Sequence, residues 1–238
     1  MTTDTTGTDS SATTRGVARW LIRETLGIVM AGVILFLCAG RWDWPWGWAT
    51  VITLALWVGA TALAVIPTNP ALLAERTRPR KGSKAWDAAI MSIVGLIIIV
   101  IYVAGGLDAR YGWTIGFPLA AQIAGVILAV LGYALVVWAT ASNAFFSQIV
   151  RIQKERGHTV ATGGPYQFVR HPGYVGSILA YMGTPIMLGS GWAIVLGVVT
   201  AILMIARTAL EDKTLLAELD GYNEYAARVR YRLLPGVW

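Results

Sequence analysis

Cysteine, histidine and charged side chains are all scarce in this chain of 238 residues. The single cysteine, Cys38, excludes an internal disulfide framework. Two histidines and one distant cysteine do not make a metal site, so we predict no bound metal. Only 13% of the residues are charged, against about 25% in a typical soluble domain. The composition therefore excludes an ordinary soluble protein.

The few charged residues are clustered, so long stretches of the sequence contain none. These uncharged windows are Thr25–Gly40, Trp44–Ala74, Ala88–Leu107, Tyr111–Val150 and His171–Ala206. A membrane span needs about 20 apolar residues, and a helix satisfies its own backbone polar groups in lipid. We therefore predict an all-α, polytopic transmembrane helical bundle of about six spans, the last two forming a helical hairpin. The predicted spans are 24–40, 48–66, 88–107, 117–141, 173–188 and 192–208.

The positive charges are distributed unevenly between the loops. Of the Lys and Arg residues, only Arg41 and Arg110 follow the first and third spans, and all the others lie in the tails and in the alternate loops. This is the positive-inside pattern of membrane proteins. It places both termini in the cytoplasm. It also indicates that the net charge of +6 reflects membrane topology and not nucleic-acid binding. We expect an integral protein of the plasma (inner) membrane of a prokaryote.

Three segments divide the chain: a disordered, basic N-terminal tail (1–22), transmembrane helices one to four (23–141), and a catalytic region with the last hairpin and a C-terminal tail helix (142–238). The loop at 67–87 is basic. It faces anionic lipid, or one of its arginines recruits an acidic substrate. Its basic residues are Arg76, Arg78, Arg80, Lys81 and Lys84.

The stretch 158–176, HTVATGGPYQFVRHPGYVG, contains both histidines of the chain. Gly163-Gly164-Pro165 indicates a turn. Pro172 is suited to the first position of a helix and keeps His171 out of the α region. Taken singly, these features fit a plain interfacial loop. As a set, they favour a cytoplasmic site.

Two features downstream are ambiguous. Small residues from Gly173 to Thr184 recur at spacings of three and four, which either packs helices closely or leaves room for a flat ligand. Arg207 and Glu211 share a helical face, either as an interfacial ion pair or with a carboxylate at the mouth of a cavity. In the tail, Arg228 either binds lipid headgroups or holds a carboxylate.

The stretch 158–176 resembles the signature of the isoprenylcysteine carboxyl methyltransferases and the related phospholipid methyltransferases. The resemblance extends over about residues 140–235, with Ala161 and Asp212 as departures where the family has Val and Glu. The downstream matches are Glu211-Asp212, Tyr222-Asn223-Glu224-Tyr225 and Arg228-Val229. The matching residues in the stretch are His158, Val160, Thr162, Gly164, Pro165, Tyr166, Arg170, His171, Pro172, Tyr174 and Gly176.

The resemblance implies an integral membrane methyltransferase that uses S-adenosylmethionine (SAM). It implies that the matching residues of the stretch, apart from Arg170, contact the cofactor together with Glu211, and that Arg228 holds the substrate carboxylate. From its spacing to Glu211 we add Arg207 to the catalytic residues.

The acceptor of the methyl group is left open by the sequence. A carboxylate such as that of a prenylcysteine needs no base, whereas a phospholipid amine or a thiol would need Glu211, His158 or His171 as a proton acceptor. A membrane NADPH-dependent sterol reductase is an alternative, because those enzymes share an R-H-P-x-Y-x-G motif. A non-catalytic membrane scaffold is the other alternative. We expect membrane lipids and a lipophilic substrate as partners.

Overall fold

The computed structural model describes residues 5–77 and 82–238, with side chains from residue 11 onwards. The described residues form helices and loops, with no β-strand among them. The all-α prediction is confirmed. Two short 3-10 helices, Lys154–Arg156 and Gly164–Gln167, lie in the loop between the fifth and sixth helices. The α-helices are α1 (Thr5–Ala39), α2 (Pro45–Val65), α3 (Pro70–Glu75), α4 (Ala85–Tyr111), α5 (Leu119–Ala141), α6 (Pro172–Leu188), α7 (Gly191–Glu218) and α8 (Tyr222–Arg228).

Five helices of the described residues, α1, α2, α4, α5 and α7, are long and apolar enough to cross a membrane. The remaining predicted span, 173–188, corresponds to α6, which has only 17 residues. The helices α6 and α7 form the predicted hairpin, because Gly189 ends α6 at a φ of +71° and the Ser190 side chain caps α7. Large apolar side chains such as Leu26, Leu63 and Leu96 are exposed on the helix surfaces, as expected where a surface contacts lipid.

The N-terminal tail differs from the prediction. Residues 5–22 belong to α1, where we expected disorder over 1–22; residues 1–4 lie outside the described part of the chain. Helix formation is cooperative, so a span that has nucleated can extend through Thr and Ser residues of modest propensity. Packing holds this extension, since Trp20 is buried and a Cβ on Gly16 would meet the Ala74 backbone at 2.9 Å.

The basic loop at 67–87 contains α3, a helix of six residues that begins where the Asn69 side chain accepts a hydrogen bond from the Leu72 amide. Proline at the first position of α3 fits this start. Arg78, Arg80 and Lys81 lie outside the described residues. Arg76 directly follows α3, and its guanidinium lies over the Phe146 ring at 5.2 Å. This arginine is therefore turned towards the protein.

The helices α5 and α6 pack at backbone contact distance. A Cβ on Gly132 of α5 would lie 2.6 Å from both the Ala180 amide nitrogen and the Gly176 carbonyl oxygen of α6. A Cβ on Gly183 would similarly meet the Ala129 amide nitrogen at 2.5 Å. Gly176, Ala180 and Gly183 of α6 therefore serve close helix packing rather than leaving room for a flat ligand.

The C-terminal segment covers the loop between α5 and α6. Tyr222 and Tyr225 of α8 pack with Leu219, Tyr166 and Ala139 in one buried cluster. The predicted tail helix is divided in two, because α7 continues to Glu218 and Gly221 adopts a φ of +79° before α8 begins. This turn directs α8 back over the loop.

Candidate active site

A cavity of about 390 Å³ lies where the loop between α5 and α6 meets the helices α2, α4, α5, α6, α7 and α8. This volume falls in the range of about 300–1,000 Å³ that is usual for small-molecule sites. Part of the wall is apolar, with Met91, Val94 and Ile98 from α4 and Val136 from α5. The remainder carries most of the polar motif residues, so a ligand with both polar and apolar parts fits this wall.

The carboxylate of Asp212 on α7 is the centre of a buried polar network. Two Arg170 nitrogens donate to it, Nε at 2.8 Å and Nη2 at 2.9 Å. The Tyr222 hydroxyl and the Arg232 Nε donate to it at 2.9 Å and 2.7 Å, and the His171 Nε2 lies 3.0 Å away. A buried carboxylate is tolerated only when its charge is paired and its lone pairs are hydrogen-bonded. Asp212 thus joins the loop, α7 and the tail.

The tail is held to the same loop by main-chain bonds. The Arg170 side chain donates to the carbonyl oxygens of Val229 and Arg230 at 3.1 Å and 2.8 Å. The backbone amides of Arg170 and His171 donate to the carbonyls of Tyr231 and Arg232 at 2.9 Å and 3.0 Å. The Arg-His pair therefore holds the tail against the start of α6.

A second buried ion pair joins α4 to α7. The Arg207 Nε donates to Asp87 at 2.7 Å, and its Nη2 donates to the Gln148 carbonyl at 3.0 Å. The Arg207 guanidinium lies over the Tyr174 ring at 5.0 Å, and the Tyr174 hydroxyl donates to Glu211. Arg207 therefore does not form the local ion pair with Glu211 that their spacing suggested. Its partner is a carboxylate 120 positions away.

His158 is held beside the cavity by its neighbours. Its Nδ1 accepts a hydrogen bond from the Gln153 amide at 3.2 Å, and its ring lies 4.6 Å from the Phe145 ring. Burial lowers the pKa of His158, and the positive charges of Arg156 and Arg151 lower it further. The neutral ring, with its proton on Nε2, is therefore the form present at neutral pH.

Tyr166 is buried at the inner side of the loop. Its hydroxyl accepts from the Asn143 side chain at 3.2 Å, and its carbonyl accepts from the Tyr225 hydroxyl at 2.8 Å. Burial raises the pKa of Tyr166 above its ordinary value. The hydroxyl therefore stays protonated and retains its own hydrogen for donation.

The predicted site residues divide into two groups. One group lines the cavity: His158, Val160, Tyr166, His171, Tyr174, Arg207 and Glu211. The other group does not contribute to the cavity wall: Thr162, Gly164, Pro165, Pro172, Gly176 and Arg228.

Residues of the second group shape the loop and the helices instead. Gly164, at a φ of +56°, turns the chain against Ser142, and Pro172 starts α6. Gly176 faces α5, so its assignment to cofactor contact is corrected to helix packing. Thr162 and Arg228 are exposed to solvent. The carboxylate-holding role of Arg228 stays a prediction, because the structure does not bring this residue to the cavity.

Sequence reasoning missed the partners of the charged residues. Asp87 is an isolated acid at the start of an apolar helix, and nothing local connects it to Arg207. Asp212 was treated as the weaker member of an acidic pair, although it is fully buried and binds two arginines. The one usable signal was the position of Asp212 next to Glu211, which places the two carboxylates on different faces of a helix.

Comparison with known proteins agrees with this geometry. Residues 120–219 match the family model described as phospholipid methyltransferase. Protein-S-isoprenylcysteine O-methyltransferase B of Arabidopsis thaliana is 28% identical over 144 residues, which are 60% of this chain and 69% of that protein. The corresponding enzyme of Schizosaccharomyces pombe is 33% identical over 86 residues, 35% of this chain and 36% of that one. A probable enzyme of the same name from Oryza sativa subsp. indica is 30% identical over 86 residues, covering 35% and 45%.

The matched family region contains the α5–α6 pair, the loop with the His158–Gly176 motif, and the Asp212 network on α7. Every one of these elements contributes to the cavity or to its support. In this region, the chain is similar to the phospholipid and isoprenylcysteine methyltransferases.

Proposed function

We propose that this integral membrane protein transfers a methyl group from SAM to a lipophilic acceptor, and that the acceptor is a carboxylate such as that of a prenylcysteine. The observation that carries the proposal is the mixed wall of the cavity. The charged and hydroxyl groups of Tyr174, Arg207 and Glu211 line the same cavity as apolar side chains of α2, α4 and α5. A polar donor and a lipid-like acceptor can therefore meet in one cavity.

The residues present fit SAM as the donor. In the described part of the chain, the one hydrogen bond to the Glu211 side chain comes from Tyr174, so the carboxylate retains accepting capacity for an amino or hydroxyl group. The protonated His158 Nε2 is available as a donor. The rings of Phe145 and Tyr166, which also line the cavity, offer surfaces on which a purine can stack.

The chain's own contribution to the reaction is position and exclusion of water. When bound, SAM supplies a methyl group on a sulfonium, and its transfer to a carboxylate oxygen gives a methyl ester and neutral S-adenosylhomocysteine. Glu211 is fixed by Tyr174 and favours a cationic donor nearby. Arg207 is fixed by Asp87 and keeps a positive charge on the same wall. A carboxylate is already ionised at neutral pH, so this reaction needs no base.

The apolar wall gives the acceptor a route from lipid. Gly95 on α4 lines the cavity, is exposed, and has no atom within 4 Å of the position of a Cβ. Open space therefore connects the cavity with the outer surface of α4. The placement of Lys and Arg supports a cavity that opens towards the cytoplasm, from which SAM would bind, in the plasma membrane of a prokaryote.

Calorimetric titration of the detergent-purified protein with SAM and with NADPH tests the donor. We expect SAM to bind, and Glu211→Gln to weaken this binding at least about tenfold through loss of a charge-assisted contact. Glu224→Gln, an exposed change on α8, is the matched control and should bind as the wild type does. Binding of NADPH without SAM would overturn the proposal in favour of a reductase.

A further inference from the structure

Among the described residues, four arginines line the cavity, and three of them have a carboxylate partner. Arg170 binds Asp212 at 2.8 Å, and Arg207 binds Asp87 at 2.7 Å. Arg151 binds both Glu75 and Glu155 at 2.6 Å. The fourth is Arg76, and within the described ranges no carboxylate lies within 4.0 Å of its guanidinium. A buried positive charge without a partner is costly, so its retention in a cavity wall points to a ligand.

The contacts of Arg76 leave part of its guanidinium unused. Its Nη2 has two long contacts, each of 3.4 Å, to the Thr140 hydroxyl and the Phe146 carbonyl. Its Nε is buried without any hydrogen-bond partner. Glu24, a carboxylate whose charge acts on Arg76, is bound to Arg23 at 2.6 Å. Burial lowers the pKa of Arg76 to about 10, with Glu24 opposing the shift, so the side chain is still a cation at neutral pH.

A second donor without a partner lies on the same wall. The indole Nε1 of Trp57 on α2 is buried and has no hydrogen-bond partner, and Trp57 lines the cavity. Trp57 and Phe146 pack against one buried cluster, and the Arg76 guanidinium lies over the Phe146 ring. Tryptophan and arginine donors are buried without partners only at a cost, and Trp57 and Arg76 both line one cavity. Two such donors define a site for an anionic oxygen.

We infer that Arg76, together with the Trp57 indole, binds the carboxylate of the methyl acceptor. This inference rests on the proposed function and assigns the substrate group that the sequence had given to Arg228. Both Arg76 and Trp57 precede residue 120, outside the segment that matches the family model. Proteins of the matched family use the same methyl donor, so a residue that binds the donor is expected inside that segment. A residue that binds the methyl acceptor can lie outside it.

The part of the cavity beside Arg76 and Trp57 also suits a carboxylate that reacts. With Arg76 and Trp57 holding one oxygen, the second oxygen stays free as the nucleophile. The apolar side chains of Val94, Ile98 and Val136 on the same cavity wall give the hydrocarbon part of the acceptor a place to lie. Charge and hydrocarbon of a prenylcysteine-like molecule would then be recognised by different parts of one cavity.

Comparison of an acid with its ester tests the inference without any methyl transfer. The probes are N-acetyl-S-farnesylcysteine and its methyl ester, titrated into the full-length protein in lipid nanodiscs. We expect the wild type to bind the acid at least about tenfold more tightly than the ester, as for a charge-assisted contact. Arg76→Gln should lose this preference, and Arg76→Lys should recover part of it. Arg19→Gln, an exposed arginine of α1, is the matched control.

Further measurements separate the inference from a structural role and from the proposed function. SAM affinity of Arg76→Gln should stay within about twofold of the wild type, and its thermal midpoint without ligand should not fall, because the change removes an unpaired buried charge. An acid preference that persists in Arg76→Gln, or a loss of SAM binding instead, overturns the inference. If the wild type binds no SAM, the proposed function fails, whereas an Arg76-dependent acid preference would still support the anion site.

Discussion

Glu211 and Asp212 are neighbours in the sequence, but their side chains lie in different surroundings. Asp212 is fully buried and accepts bonds from Arg170 and Arg232, whereas Glu211 lies half-buried on the cavity wall. Successive residues of a helix point about 100° apart, so adjacent carboxylates face different partners. We therefore assign Asp212 to the support of the site and Glu211 to the ligand.

Asp212→Asn tests the supporting role at the scale of one residue. Removal of the charge leaves two arginines of a buried network without their counter-charge, which typically costs about 3–5 kcal/mol. We expect a clear loss of thermal stability in detergent, measured by the unfolding midpoint. Asp220→Asn, at an exposed position of the tail, should melt as the wild type does. A wild-type midpoint for Asp212→Asn would contradict the assignment.

At the scale of elements, contact between α5 and α6 positions the site. The helix α6 carries His171 at its start and Tyr174 one turn later, so its position against α5 sets where both side chains lie. The contact is made through backbone atoms of Gly132, Gly176 and Ala180. No larger side chain fits there without separation of the two helices.

Two glycine substitutions with different expected effects on stability test this packing. Gly27→Ala on α1, where a Cβ meets nothing within 4 Å, should leave stability unchanged or raise it by up to about 1 kcal/mol, because alanine favours the helix. Gly132→Ala places the same Cβ against backbone atoms of α6 and should lower stability by about 1–3 kcal/mol, as overpacking does. Thermal midpoints in detergent measure both. Equal effects of the two changes would refute close packing as the role of Gly132.

At the scale of the whole molecule, the cavity and the tail both adjoin the loop between α5 and α6. The exposed Gly95 of α4 lines the cavity, and no atom of the described residues lies within 4 Å of the position of its Cβ. The bonds from Arg170 to the carbonyls of Val229 and Arg230 hold the tail against this loop. On the proposed function, the lipophilic acceptor would enter beside Gly95.

Gly95→Trp tests the route from lipid. A large ring at this position would fill the open space of the cavity, so we expect the KM for N-acetyl-S-farnesylcysteine to rise at least about fivefold, equivalent to about 1 kcal/mol. SAM affinity should not change. Gly59→Trp on α2 is the matched control, since Gly59 is also exposed with nothing within 4 Å of a Cβ but does not line the cavity. Equal KM values for the two variants would argue against this route.

Several properties of this protein follow from local sequence. Long uncharged windows predicted the helices α2, α4, α5 and α6 to within a few residues, because the bilayer requires uninterrupted apolar helices. Gly189 and Ser190 marked the hairpin, and Pro172 marked the start of α6. The motif from His158 to Gly176 identified the family region and several residues of the cavity wall. In each case the physical cause acts between residues close together in the chain.

The partner of each charge was decided only by the tertiary structure. The spacing of Arg207 and Glu211 suggested a local pair, but helix packing brings Asp87 to Arg207 and leaves Glu211 to Tyr174. The same packing turns Gly176 towards α5 and brings Arg76 to the cavity without a carboxylate. Helical spacing fixes which residues share a face, but the neighbour that the face meets depends on how distant helices pack. The sequence by itself therefore determined a bundle of apolar helices with a methyltransferase-like motif, and the fold decided which of its charges support the site and which are left for a ligand.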